Sequence, residues 1–367
     1  MPWNPHKIND ADKDLLQYFQ LAACPALTTF GHDPTDLGKF LLRMSLSDDS
    51  CSSTALLRAL LGFSSLHRHG LQSQAGELKV SALRALAAAS KGGELGTKEA
   101  VQHVAAGMLL YSFEIQQSCC TASHWVWYIC GAKEVINQAG LNLIQHRDVA
   151  ALLDWVYYND IMARFSLRHW DKTSNNISST PPSTRSGASN VTPSTVAMLQ
   201  LLSDLCDAVS VDMRPIQESE DHKSFLKVLD WRIRNVPVAT AIDRLYQLAT
   251  LIYLDRISGA LLNQTERVQQ YIETAFGILL QLDTCERQFP VFIIGCEART
   301  DGQRTIVLDI IAKTEKTNAS RSWLHAKLLL QSIWAQDDLF EWRNGGLEYW
   351  DKLSSTMSRC IIPPSFV

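Results

Sequence analysis

Three acidic residues near the end of the chain, Asp337, Asp338 and Glu341, stand in the order Asp-Asp-Leu-Phe-Glu. On a helix, carboxylates at i, i+1 and i+4 share one face, and clustered carboxylate oxygens are ligands for magnesium. Terpene synthases, which are all-helical, pair such a group with a second one downstream, built from Asn, Ser and Glu at i, i+4 and i+8. Only 26 of the 367 residues follow Glu341, and none supplies that second group. The segment Asn159 to Ser166 lies upstream and in another register, so this chemistry is the least favoured.

His67 and His69 flank Arg68. A His-x-His pair chelates metal on a strand, but at a helix end the two rings diverge by about 200°. There they read as cationic partners of the helix dipole. Nine cysteines, Cys24, Cys51, Cys119, Cys120, Cys130, Cys206, Cys285, Cys296 and Cys360, are scattered and odd in number. No Cys-x-x-Cys occurs, which argues against zinc ribbons, zinc fingers and thioredoxin-like redox motifs. The cysteines read as small apolar residues of a reducing compartment, and the adjacent Cys119–Cys120 pair as two thiols. No Gly-x-Ser-x-Gly elbow, P-loop, dinucleotide glycine motif or His-Glu-x-x-His is present. The segment Gly93 to Glu99 has glycines without a preceding strand and reads as a loop. No catalytic, cofactor-binding, metal or DNA-binding residue is therefore assigned, no cofactor is expected, and the chain is not expected to be an enzyme.

The elements that would position any site are helical almost throughout. Val101, Val104, Ala105, Met108 and Leu109 follow i, i+3, i+4, i+7, i+8, and Val268, Tyr271, Ile272, Ala275, Phe276 and Leu279 continue the same pattern to i+11. This periodicity predicts helices near 10–22, 53–67, 72–90, 97–117, 122–139, 148–168, 195–210, 223–235, 239–259, 264–283, 290–299, 303–315 and 320–336. Asn263 and Glu266 read as a helix start, and Gly140 as a stop. The apolar run 289–296 could be a buried strand by periodicity alone. Pro290, suited to a first helical turn, and the polar continuation favour a short buried helix. Gly295 would then let a neighbouring helix approach closely. Seven tryptophans, Trp125, Trp127, Trp155, Trp170, Trp231, Trp323 and Trp334, read first as fillers of a helical core and second as the lining of a small-molecule pocket.

The totals fit this picture. The chain is 46% hydrophobic and 20% charged, with net charge −4, enough for one large or two ordinary cores. An acidic balance argues mildly against binding nucleic acid unaided. No uninterrupted apolar run of about 18 residues predicts a membrane helix, and the polar start has no signal core. The Asn-x-Ser/Thr triplets at Asn176, Asn190, Asn263 and Asn318 then read as chance matches. The segment 172–194 is Ser, Thr, Pro and Asn with little to bury, and it predicts a flexible loop. Thr180 and Thr192 each precede proline, a dipeptide that proline-directed kinases accept. The expected organisation is all-α, an irregular multi-helix bundle in two packed blocks, 1–171 and 195–367, joined by the 172–194 loop.

Several segments, in order, resemble the fungal-specific transcription factor domain, the regulatory region of fungal zinc binuclear cluster activators. They are DADKDLLQYFQ, STALLRALLGFSSLH, a helix pair whose first member carries a motif ending at Glu114 and whose second carries Trp127, Ile129, Gly131, Ala132, Val135 and Ile136, then YLDRISG, VQQYI, FPVFIIGCEA and SIWAQDD. These are packing motifs that speak to fold. The resemblance implies a nuclear regulator of transcription, with metabolite, drug-response, stress or nutrient genes, secondary metabolism included, as targets. It implies partners in the transcription machinery or a DNA-binding partner, with a small-molecule effector and a homodimer as further partners. Family members carry six cysteines in a basic DNA-reading segment before this domain; these cysteines do not make that cluster, so no direct DNA contact is expected. A chain lacking its first exon, a free-standing regulatory domain and a domain recruited to another task all fit. The competing reading is a helical small-molecule-binding protein or enzyme.

Overall fold

Each helix end leaves backbone groups without helical partners, and the sequence supplies local groups for them. The Asn9 side chain accepts from the Asp12 N–H at 2.7 Å, Asp33 from the Thr35 N–H at 2.8 Å, and Ser50 Oγ from the Ser53 N–H at 3.1 Å. Thr240 and Asp243 cap each other reciprocally, at 3.0 and 3.1 Å. The structure is a computed structural model that describes residues 8–93, 95–117, 124–170, 193–208, 220–262, 264–317, 322–341 and 349–367. Among these residues there are fifteen α-helices and no strand. The fold is all-α, as the periodicity predicts. Most of segment 172–194, with Thr180 and Thr192, lies outside the described residues, as do Cys119, Cys120 and Asn263; Pro193 and Ser194 open a helix.

Contacts gather the chain into two compact units, with the division falling between Asp160 and Ile161. The first unit holds α1 (Asp10–Tyr18), α2 (Pro34–Ser45), α3 (Cys51–His69), α4 (Ser73–Lys91), α5 (Thr97–Ile115), α6 (His124–Gln138) and the leading part of α7 (Arg147–Trp170). Helices α3 and α5 form its centre, with α3 packed on α1, α2 and α4 and α5 on α3 and α6. Val101, Val104, Ala105, Met108 and Leu109 are all buried, but so are Ala106, Leu110, Tyr111 and Phe113 on the other faces. The predicted apolar stripe is thus part of a helix covered on nearly every side. Gln102 on α5 is fully buried. Its amide donates to the Met44 carbonyl at 3.1 Å and to Ser47 Oγ at 2.9 Å, satisfying the C-terminal end of α2.

The second unit holds the end of α7, then α8 (Pro193–Ala208), α9 (Glu220–Arg234), α10 (Ala241–Ser258), α11 (Thr265–Gln281), α12 (Gln288–Cys296), α13 (Asp301–Thr317), α14 (Ser322–Glu341) and α15 (Tyr349–Met357). A buried glutamine recurs here: Gln247 on α10 donates to the carbonyls of Ile233 and Val236, at 2.8 and 3.2 Å, at the end of α9. Every residue of α12 is buried. Pro290 sits in its first turn, so the run 289–296 is a helix. A Cβ at Gly295 would lie 2.8 Å from Leu330 Cδ2 and 3.3 Å from Val307 Cγ1, so α14 does approach as closely as a glycine allows. Trp334 Nε1–H donates to the Gly295 carbonyl across the same contact, at 2.8 Å.

Three expectations change. Helix α2 is absent from the predicted set, although Asp33, Pro34 and the stripe Leu37, Phe40, Leu41 mark it. Gly38 interrupts that stripe, and it is there because a Cβ would meet Cys24 Cβ at 2.7 Å. Helix α15 was also not predicted; at nine residues it is too short to show two full repeats. The end of segment Gly93 to Glu99 is the first turn of α5, where Glu99 accepts from the Gly96 N–H at 3.0 Å.

The Gly295 contact gives a direct test. Gly295→Leu should overpack α12 against α14 and lower stability by about 1–3 kcal/mol or more, read as a reduced urea midpoint with unchanged slope. A midpoint equal to the parent's would contradict this packing.

Candidate functional site

In the first unit the residues of α4 at i, i+3, i+4 and i+7, Gly76, Lys79, Val80 and Leu83, line a cleft of about 470 Å³. They come together because α4 gives its other face to α3. Ala75 and Ala82 are buried there, and the α3 glycine Gly62 would bring a Cβ within 3.4 Å of Leu78 Cβ. The far wall is Trp127 and Tyr128 of α6, and the floor is Phe113 and Gln117 at the end of α5, with Leu71 closing one side. Trp125 and Trp127 are two positions apart on α6 and so point about 200° apart. Trp125 is buried edge-on against Tyr111, with centroids 5.9 Å apart. Trp127 is turned outward, 73% exposed.

The polar residues that line this cleft are Lys79, Gln117 and Tyr128, and Lys79 is ion-paired with Glu114, which lies outside the lining. The Glu114 side chain is 4% exposed and that of Lys79 21%. The ammonium also lies over the Phe113 ring, 5.6 Å from its centroid, a favourable place for a cation. Burial, and next the Glu114 charge, push the Tyr128 phenol up to about 12, so it remains protonated and able to donate a hydrogen bond.

The second unit holds a fully buried imidazole. His169 Nε2 lies 2.8 Å from the Tyr253 hydroxyl and Nδ1 3.4 Å from Ser354 Oγ. Trp350 packs on the ring at 4.4 Å and Phe165 meets it edge-on at 5.3 Å. Burial, followed by the nearby positive charge of Arg168, lowers the His169 pKa to about 3. Burial holds Tyr253 well above its ordinary value. The imidazole is neutral and the phenol protonated near pH 7, so this pair cannot exchange a proton at useful rates. It bridges α7, α10 and α15.

The other sequence candidates have separate neighbours. His67 Nδ1 is 3.0 Å from the Tyr18 hydroxyl, while His69 is exposed. Asp337 is paired with Lys352 at 2.9 Å and Arg299 at 3.5 Å. Asp338 is held by Arg304 through two hydrogen bonds, at 2.6 and 2.9 Å. Two neighbouring carboxylates thus answer to cations on different helices. Among the described residues no group of three His, Cys, Asp or Glu is placed to hold a metal ion, and no helix is long and apolar enough to cross a membrane. Cys24, Cys206, Cys285 and Cys296 are buried, and Cys51 and Cys130 exposed. Trp155, Trp323 and Trp334 join Trp125 in the core, whereas Trp231, like Trp127, is exposed. The cleft residues of α4 escaped the sequence reading because a glycine and a lysine interrupt their apolar stripe.

The buried imidazole predicts a pH dependence. The unfolded chain takes up a proton at His169 near its ordinary pKa of 6.5, and the folded chain does not until about pH 3. Stability should therefore fall as pH drops below about 6.5. His169→Gln should be less stable at pH 7 and show a shallower decline in urea melts between pH 7 and 4.5. Equal slopes for both chains would refute the assignment.

A family model described as the fungal-specific transcription factor domain matches residues 14–358. Transcription factor iacI of Pestalotiopsis fici is 46% identical over 377 aligned positions, spanning 100% of this chain and 98% of that relative. No solved structure matches the chain. The order of the packing motifs, the buried α12 that carries FPVFIIGC, and these two similarities agree: the chain belongs to the fungal-specific transcription factor domain family.

Proposed function

We propose that this chain is the regulatory domain of a fungal transcriptional regulator, acting in the nucleus through protein partners rather than by its own contact with DNA. The observation that carries the reading is the match of the family model to 345 positions, from residue 14 to residue 358. The full-length similarity to a protein named as a transcription factor supports it. The acidic balance of the chain is in keeping with a role that does not depend on phosphate contacts. A regulatory rather than catalytic role is in keeping with the buried His169–Tyr253 pair, which is mismatched to proton transfer, and with Asp337 and Asp338, which are each engaged by cations.

Regulation requires a ligand or partner that binds two arrangements of the domain unequally. The cleft beside α4 is the place in the first unit where such a molecule would act. Candidate target genes are those of metabolite and stress handling, secondary metabolism included. In this reading the two helical units, divided between Asp160 and Ile161 rather than at the expected residue 171, carry this out.

A fusion of the chain to an unrelated DNA-binding domain, expressed in a fungal host, tests the reading. Reporter output should change reproducibly against the DNA-binding domain alone. It should return to baseline in Val104→Asp, which buries a carboxylate at a fully buried position at a cost of several kcal/mol. A well-expressed fusion with no output in any growth condition would contradict a self-sufficient regulatory domain.

A further inference from the structure

The cleft between α4 and the α5–α6 corner has features that point to one class of occupant. Its volume, about 470 Å³, falls in the range of small-molecule sites. One wall is made of flat aromatic rings, Trp127 and Tyr128, while the Phe113 ring at the floor is covered by the Lys79 ammonium. Planar rings favour planar partners, through offset or edge-to-face contacts. Leu71 and Val80, on the opposite side, are 56% and 44% exposed, so the apolar surface is contiguous across the cleft and open to a ligand. The stripe Gly76, Lys79, Val80 and Leu83 spans about two helical turns, roughly 10 Å, about the length of two to three fused rings.

The charge at the base narrows the class. Lys79 and Glu114 neutralise one another, so a net charge brought in by the ligand would be desolvated without a counter-charge. A neutral oxygen suits the pair better. A hydroxyl or carbonyl oxygen can accept from the ammonium or from the Tyr128 phenol. Lys79 and Tyr128 therefore supply orientation to a site whose affinity comes from ring contacts, with Glu114 holding the lysine in place.

We propose that this cleft binds a neutral, planar aromatic molecule of two or three rings bearing a hydroxyl or carbonyl oxygen, and that this molecule is the regulator's effector. The proposal rests on the regulatory-domain reading for its second half and on geometry alone for its first. Lys79 and Tyr128 orient the oxygen, Trp127 and the Tyr128 ring hold the rings, and Gly76 leaves room for the ring edge.

Gly76 also supplies the decisive variant. A Cβ built there meets nothing within 4 Å, so Gly76→Leu places its side chain in open space within the cleft while improving the helix propensity of α4. Gly76→Phe provides a second, bulkier block should leucine prove too small. The probe is β-naphthol, titrated calorimetrically into the full chain, with naphthalene and β-naphthoate as comparisons. The proposal expects saturable binding of β-naphthol, weakened on the order of tenfold for naphthalene, which lacks the oxygen, and for the charged naphthoate. It expects β-naphthol binding to drop at least tenfold in Gly76→Leu or Gly76→Phe without a lower melting temperature. Absence of saturable binding, equal binding of naphthalene, or unchanged binding in both variants would overturn it. So would a sedimentation dimer that Gly76→Leu dissociates, because the cleft would then belong to a second copy of the chain. In the fusion reporter, Gly76→Leu should abolish the response to added β-naphthol while Val104→Asp abolishes all output. Reporter output from the parent fusion without β-naphthol binding would sink this site and leave the regulatory reading standing. Binding in a chain that is silent as a fusion would do the reverse.

Discussion

A carboxylate buried to 3% exposure, that of Glu297, is the constraint around which the second unit is arranged. It caps the end of α12, a helix whose nine residues are all buried, so water is not available to it. Arg256 of α10 meets it with two parallel hydrogen bonds, at 3.0 and 2.8 Å. This two-pronged geometry is the arrangement in which arginine best compensates a buried carboxylate. The pair fixes where α10 and α12 lie against each other. That in turn places Phe289 of α12 beside Tyr246 and Tyr253 of α10, with ring centroids 5.3 and 6.4 Å apart. The neighbouring contact of Gly295 with Leu330 and Trp334 adds α14 to the same helix. The motif FPVFIIGCEA thus has a physical reason at nearly every position: apolar side chains for burial, a proline to start, a glycine for close approach, and a glutamate to receive an arginine.

The first unit uses milder devices to the same end. Gln102 and Gln247, one in each unit, are buried glutamines that satisfy the last carbonyls of a neighbouring helix. Helix ends packed into a core carry unmet acceptors, and an amide side chain from the central helix meets them without a net charge. The Lys79–Glu114 pair is different in kind. Its lysine lines the cleft and is partly exposed while its glutamate is buried, so the pair holds α4 to the end of α5 and Lys79 presents polar atoms outward.

Helix existence was legible because burial imposes a 3.6-residue period, as at Val101 to Leu109 and Val268 to Leu279. The buried strand alternative for 289–296 was also decidable, since Pro290 fits a first helical turn. Less legible were elements whose apolar pattern is broken for local reasons. Gly38 in α2 answers to Cys24, a contact between residues far enough apart in sequence that no window reveals it. The cleft was hidden for a related reason: Trp125 and Trp127 look equivalent in sequence, yet their 200° separation on α6 (about that for two residues of helix) sends one into the core and the other outward. Glu114 and Trp127 were visible as members of packing motifs, but their joint position beside Lys79 depends on how α4 leans on α3. Asp337 and Asp338 show the converse. Their spacing suggested a shared metal, and the cations opposite them lie on α13, α15 and the α12–α13 connection, where sequence spacing carries no information.

The claim that organises this account is that the Arg256–Glu297 pair couples α10 to α12 inside a core. A double-mutant cycle with Arg256→Met and Glu297→Gln, followed by urea denaturation of the full chain, tests it most directly. Arg256→Met leaves the Glu297 carboxylate buried and uncompensated and should cost about 3–5 kcal/mol, whereas Glu297→Gln leaves an arginine that is 29% exposed and near Asp255 and should cost less. The double variant, with neither charge present, should lose clearly less than the sum of the two. Additive losses would contradict the account, because they would mean that the two side chains stabilise the domain independently.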